Sequence, residues 1–283
     1  MTPVSYTEAK RNSEGFEVNV LTADPATIAG RFLAARREAG GLDEYPGEFP
    51  QTLGAAYQVQ DSAIAAWGRP VLGWKVGRIN PPLSERFGAD RLAGPIFLVE
   101  QGGGEPEMPV FGKGFAAGEA EFLLRVGRAP RPGQERFTLE QAAQLIDAVH
   151  VGIEVASSPL RAINAIGPIA VASDFGNNNG LVVGPEVTDW RSSGFEQWLV
   201  TTRIDGREVG SGRASAFPDG AIGAARFLFE LMAERGIALT PGQWISSGAV
   251  SGVHDAAPGQ RVEADFGGRL SVACRLRAAR PEA

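Results

Sequence analysis

The sequence predicts an α+β protein, with an N-terminal helical section leading into a mixed, strand-dominated body. Three observations carry that expectation. Apolar residues recur at helical spacing between residues 24 and 69, and beyond residue 70 they fall into short alternating runs. Glycine is abundant, at 37 of 283 residues, and with 19 prolines it favours strands and turns over a helical bundle. No internal repeat or low-complexity linker divides the chain, so residues 24–283 read as one structural unit, with 70–283 as its strand body.

Residues 1–23 are polar and unperiodic and read as an arm. From Pro25 to about Ala39, Ile28, Phe32, Leu33 and Ala35 share a helical face. Residues 41–50 form a loop, and a second helix runs from Leu53 to Trp67 with Ala56, Val59, Ile64 and Trp67 in its stripe. Short strands follow at 71–77, 95–99 and 120–126, then a helix over 139–146 and strands at 148–156 and 179–184. Asp205-Gly206 between two extended runs predicts a hairpin. Ala221–Arg235 has the clearest helical pattern, with Gly236 placed to cap it. Residues 243–252 and 269–276 close the chain as strands.

Composition excludes several classes. The net charge is −6 with no Lys/Arg cluster, a poor basis for binding nucleic acid or an anionic membrane. No apolar run approaches the ~18–20 residues of a bilayer span, and the first twenty residues lack a signal-type apolar core. Cys274 is the only cysteine, so neither an internal disulfide nor a thiolate metal cluster can form. These features point to the cytoplasm.

The chemistry concentrates in three strands. In GEAEFLLRV (118–126), Glu119, Glu121, Leu123 and Arg125 share one face, and Ala120, Phe122, Leu124 and Val126 the other. Taken alone, this is a half-buried strand whose charged face meets water, with Arg125 available to Glu121. In AVHVGIEVA (148–156), Glu154 shares its face with Gly152 and Ala156. These small neighbours leave room above a carboxylate that needs a cation or donors. A buried ion pair with an arginine serves equally well. Lys75 shares its face with Gly73 and Gly77, and a surface lysine on an edge strand is the simpler reading.

Should Glu119, Glu121 and Glu154 converge, the chemistry becomes specific. Same-face neighbours lie about 6.5–7 Å apart at Cα, within reach of one shared ion. All-oxygen ligation suits Mg²⁺ or Mn²⁺ better than zinc. With about six oxygens required, three carboxylates leave open positions that a chelating 2-oxo acid and a water could fill.

In order, GWKVG (73–77), GEAEF (118–122), GIEVA (152–156), SDFGNNNGLVVG (173–184), WISSGAVSG (244–252) and ADFGG (264–268) resemble one family. It is the 2-hydroxypentadienoate (2-keto-4-pentenoate) hydratases of the fumarylacetoacetase superfamily, and the resemblance spans roughly residues 50–278. It implies a mixed β-roll preceded by helices, assembled as a homo-oligomer. It implies Mg²⁺ or Mn²⁺ held by Glu119, Glu121 and Glu154, with Lys75 as active-site lysine and Ser247 and Gly248 contacting the substrate carboxylate. The implied reaction adds water to a 2-hydroxy-2,4-dienoate or 2-oxo-4-enoate in catabolism of aromatic compounds. Decarboxylation of a vinylogous 2-oxo diacid, hydrolysis of an acylpyruvate, and a metal-free binding protein of the same fold are the alternatives.

Two departures stand out. Ser157-Ser158-Pro159 occupies the place of the family's acid-Ser-Arg triplet, and Ala93 lies near where another acid is usual. Asp174, His150 and His254 are the candidate replacements, although a structural imidazole or loop residue is the favoured reading of both histidines. His150 lies roughly 13 Å from Glu154 at Cα along its strand, too far for both to ligate one ion.

Overall fold

A computed structural model describes residues 24–282, and the arm expected at 1–23 lies outside the described residues. Helix α1 (Pro25–Arg37) begins where Asp24 accepts a hydrogen bond from Ala26 N and Pro25 pre-sets the first turn. Helix α2 (Leu53–Trp67) is capped by Thr52, whose hydroxyl accepts from Ala55 N. The chain continues through β1 (Gly73–Arg78), α3 (Leu83–Phe87), β2 (Arg91–Ile96), β3 (Val99–Glu100), β4 (Glu107–Val110) and β5 (Phe115–Val126). Then come α4 (Leu139–Leu145), β6 (Ile146–Ser158), α5 (Ile163–Ile166), α6 (Pro168–Ser173) and β7 (Asn178–Glu186). The last elements are β8 (Val200–Ile204), β9 (Arg207–Gly212), α7 (Gly220–Glu234), β10 (Trp244–Ser246), β11 (Arg261–Phe266) and β12 (Leu270–Ala278).

Among the described residues the strands form two mixed sheets, in the orders β2-β1-β10-β5-β6-β7-β3 and β4-β12-β11-β8-β9. The edges of the larger sheet are β2 and β3, which are consecutive in the chain and separated only by Phe97 and Leu98. A flat sheet of that width would hold its edges roughly 29 Å apart. Two residues bridge no more than about 11 Å. The sheet must therefore curl until its edges meet, and this roll brings side chains of distant strands together on its concave side.

The convex face is apolar. Phe122, Leu124, Val149, Val151, Ile153 and Val155 pack against Val262, Phe266 and Cys274 of the second sheet. Phe122 is fully buried, with ring centroids 4.8 Å from Phe195 and 5.1 Å from Phe266. Burial of such a side chain contributes roughly 1.5–3 kcal/mol. A Cβ on Gly118 would lie 2.6 Å from Val262 Cγ1, so the two sheets approach closely where β5 has a glycine. Helix α7 completes this core through Leu228, Phe229 and Met232. A second cluster joins α1 and α2 to α6 and Phe175.

The expected helices, hairpin and central strands are present, with two corrections. The strand expected at 95–99 runs from Arg91 to Ile96, because the apolar run PIFLV is interrupted where the chain leaves one sheet edge for the other. Pro95 is tolerated there because β2 is an edge strand. The strand expected over 243–252 stops at Ser246. Beyond it the chain still follows β5 irregularly, with Ser247 N donating to Phe122 O and Val250 N to Ala120 O. Helices α3, α5 and α6 and strand β4 have too little periodicity to be read from sequence, whereas β11, with Val262, Ala264 and Phe266 alternating with charged residues, has a strand pattern that sequence reasoning missed. The hairpin turns at Asp205 and Gly206, both with positive φ (51° and 80°).

Candidate metal centre

Glu119 and Glu154 are directly opposed across the β5–β6 ladder, and Glu121 follows two residues on, opposite Gly152. Register therefore puts all three side chains on the concave face. One oxygen from each lies within 4.8 Å of the others, and all three residues are buried. The sequence reading of a charged face turned to water is thus overturned, because the face that carries these acids is the inside of the roll. Arg125, at the strand's far end, pairs with Asp147 at 2.9 Å instead of Glu121.

Lys75 sits on β1, which lies between β2 and β10 and is no edge strand. It is 6% exposed, and its Nζ reaches to 3.5 Å from Glu154 Oε2. That distance gives strong attraction but is long for a hydrogen bond. The partner of Glu154 is accordingly a lysine, with no arginine. The room expected over Glu154 is partly filled: a Cβ on Gly152 would lie 2.2 Å from Leu123 Cδ1. Gly77 does open space at the ammonium, since its Cβ would stand 3.5 Å from Lys75 Nζ.

Two of the carboxylates are held by hydrogen bonds. Glu121 Oε2 accepts from Ser246 Oγ at 2.5 Å and from Gly248 N at 2.7 Å. Glu154 Oε1 accepts from Asn178 Nδ2 at 2.9 Å. Their other oxygens, Glu121 Oε1 and Glu154 Oε2, are buried with no hydrogen-bond partner among the described residues. Ser246 and Asn178 are members of the cluster that sequence reasoning missed. Both lie inside quoted motifs, but nothing in NNN or SS marks which member turns inward.

The electrostatics are unbalanced. Burial first, then the charges of Glu154 and Glu119, push Glu121 well above the usual carboxylate range. Burial and Glu154 raise Glu119 to about 8, against the pull of Lys75. Burial lowers the pKa of Lys75, but attraction to the three glutamates, Glu154 foremost, outweighs it and leaves the ammonium above its ordinary value. One cation thus faces three carboxyls, and the cluster must keep protons or acquire positive charge. Orphaned oxygens, an all-carboxylate donor set and that charge deficit all fit a hard dication such as Mg²⁺ or Mn²⁺.

The remaining candidates lie elsewhere. His150 bonds through Nδ1 to Gly184 O at 2.9 Å and meets Trp244 edge-on, and His254 Nε2 bonds to Ser251 O at 2.9 Å. Asp174 is held by Arg36 at 2.6 Å and by Ser158 Oγ at 2.6 Å. None of the three joins the carboxylate group. Ser157, at the family's acid position, bonds only backbone, accepting from Phe111 N and donating to Phe115 O. The peptide at Ala93 is bound by Tyr57 and Gln60 of α2. Ser247 Oγ is buried without a partner among the described residues, whereas Gly248 serves through its N–H to Glu121.

No family model matches the chain. Solved structures do. 4-Oxalocrotonate decarboxylase from Pseudomonas putida G7, complexed with magnesium and adipate, is 20% identical. It matches with a TM-score of 0.74 over 89% of this chain and 97% of that one. A fumarylacetoacetate hydrolase family protein from Yersinia pestis CO92 is 15% identical, with a TM-score of 0.53 over 74% and 94% of the two chains. Fumarylpyruvate hydrolase from Pseudomonas aeruginosa, in complex with Mn²⁺ and pyruvate, is 17% identical, with a TM-score of 0.50 over 73% and 89%. The curled mixed sheet with its N-terminal helices therefore has the fold of these fumarylacetoacetate hydrolase-type structures.

Proposed function

We propose that the protein is a divalent-metal-dependent lyase acting on an enolisable 2-oxo acid. The observation that carries this is the convergence of three buried carboxylates within 4.8 Å of one another beside a buried lysine. Glu119, Glu121 and Glu154 would hold Mg²⁺ or Mn²⁺, which when bound supplies a chelation point and charge stabilisation for a developing enolate oxygen. The chain's own groups do the rest. Ser246 and Gly248 fix Glu121, and Asn178 fixes Glu154, so both carboxylates are pre-oriented. Leu123, Ile96, Leu181 and Trp244 form an apolar cluster on the same side of the roll and keep bulk water away. Lys75 holds a proton at Nζ for transfer to the substrate. Ser247 Oγ, unpartnered, offers a donor to the substrate carboxylate, and the working unit is a homo-oligomer.

Two reactions suit this set. The sequence motifs imply hydration of a 2-hydroxy-2,4-dienoate, which needs a base to activate water. A second observation favours decarboxylation of a vinylogous 2-oxo diacid: Ser157 and the Ala93 peptide carry no acid, and Asp174 is committed to Arg36. Decarboxylation requires no water activation, and one proton from Lys75 suffices. The magnesium- and adipate-bound decarboxylase among the similar structures supports the same preference. A panel of 2-oxo-enoates and 2-oxo diacids, followed by ultraviolet absorbance and CO₂ release, tests it. Stoichiometric CO₂ is expected; chromophore loss without CO₂ would establish hydration, and inertness with Mg²⁺ and Mn²⁺ would overturn both.

A further inference from the structure

A second cavity lies outside the carboxylate centre. It is a cleft of about 520 Å³ between the C-terminal ends of α1 and α2, the Phe97–Leu98 link and the segment after β12. Its volume falls within the range typical of small-molecule sites. Neither Lys75 nor any of the three glutamates lines it. Asn178, whose side chain is turned to Glu154, stands between the two places.

The cleft has an aromatic wall. Trp67, Phe97 and Phe175 contact one another, with centroids 6.3 Å apart for Trp67–Phe97, 6.0 Å for Trp67–Phe175 and 4.9 Å for Phe97–Phe175. Its charges are also arranged. The Arg36 guanidinium lies 4.9 Å from the Phe175 centroid and is matched by Asp174. Arg69 lies 4.4 Å from the Trp67 centroid and is matched by Glu282 at 2.5 Å. Arg277 and Arg280 also line the cleft, and neither has a carboxylate partner among the described residues. The one further acid in the lining is Glu107, which leaves a single positive charge in excess. The segment carrying these arginines is tied down, with Ala279 N donating to Val110 O and Glu282 N to Arg37 O. Arg280 is thus on a wall anchored at both ends.

We propose that this cleft binds a planar aromatic monocarboxylate. Half-buried Trp67 and Phe97 offer ring contacts to a flat apolar body, backed by the buried Phe175, and the guanidiniums over Phe175 and Trp67 set positive charge beside them. The excess charge matches one carboxylate, and a guanidinium binds it through two parallel hydrogen bonds. The carboxylate site of the cleft is separate from the metal centre, because neither Lys75 nor any of the three glutamates lines it and only Asn178, turned to Glu154, borders both.

Calorimetric titration of the whole chain with benzoate, in EDTA, tests the assignment. Saturable binding is expected, with benzamide, the neutral isostere, weaker by about tenfold or more. Arg277→Gln and Arg280→Gln, both on the surface of the cleft, should weaken benzoate by a similar factor together while leaving the melting temperature unchanged. Glu154→Gln should leave benzoate affinity intact even as it abolishes divalent-ion binding, which separates this site from the proposed metal centre. No saturable benzoate binding, equal affinity for benzamide, indifference to the double arginine variant, or loss of benzoate in Glu154→Gln would each overturn it.

Discussion

Stripping divalent ions from the protein and varying pH exposes the charge imbalance at the centre directly. Glu119 is raised from 4.5 to about 8 in the folded chain, so between those values the native state holds a proton that the unfolded state has lost. Stability must then fall as pH rises through that window. A shift of that size, at about 1.4 kcal/mol per unit, amounts to a loss on the order of 5 kcal/mol. Glu121, also raised, adds to the loss with the same sign. Asp147 and Glu105 are held low by hydrogen bonds from Arg125 and Arg261, and so contribute in the opposite sense. Their stabilisation disappears only as pH falls through values below the ordinary carboxylate range, outside the window. Lys75, raised, stays charged throughout it. Urea denaturation in EDTA at intervals from about pH 5 to pH 8 is the assay. Added Mg²⁺ should recover most of the loss near pH 8 and little near pH 5, because the ion displaces protons from its ligands. A flat stability profile in EDTA, or an identical slope in Glu119→Gln, would refute the reasoning.

Other consequences follow from single contacts. Asn178→Ala removes the donor to Glu154 Oε1 and should weaken Mg²⁺ or Mn²⁺ binding about 10- to 100-fold by calorimetry, the usual effect of losing a group that orients a ligand. Lys75→Met should retain the ion, measured the same way, but lose turnover by a factor of about 100 or more. Gly152→Ala places a methyl 2.2 Å from Leu123 Cδ1 and 2.8 Å from Val182 O, and should destabilise the fold by roughly 1–3 kcal/mol in urea titration. Cys274 is fully buried, and burial pushes its thiol up to about 12; native protein should resist iodoacetamide at neutral pH, with reaction restored by denaturant.

Local periodicity made most elements legible. The faces of α1, α2 and α7 and the alternation in β5 and β6 depend only on which residues are apolar at period 3.6 or 2, and the Asp205-Gly206 turn depends on backbone preference. Short elements such as α3, α5 and β4 offer too few residues for a period to emerge. PIFLV misled because apolar character cannot tell a continuous strand from a crossing between two sheet edges.

The candidate site divides along the same line. That Glu119 and Glu121 share a face follows from strand geometry alone, and motif order linked them to Glu154 and Lys75. Whether that face met water or the interior was not local information. It was decided by the two residues joining β2 to β3, which force the sheet to curl and turn an apparently solvated charged face into the inside of a roll. The same curl carries Lys75 across two intervening strands to Glu154, whereas Ser246 and Asn178 reach their carboxylates from directly adjacent strands, a matter of sheet order. The sequence by itself determined which side chains were available and which faced the same way. Only the tertiary structure decided which of them meet, because contact between residues far apart in the chain is set by sheet order and curvature, and no local spacing encodes either.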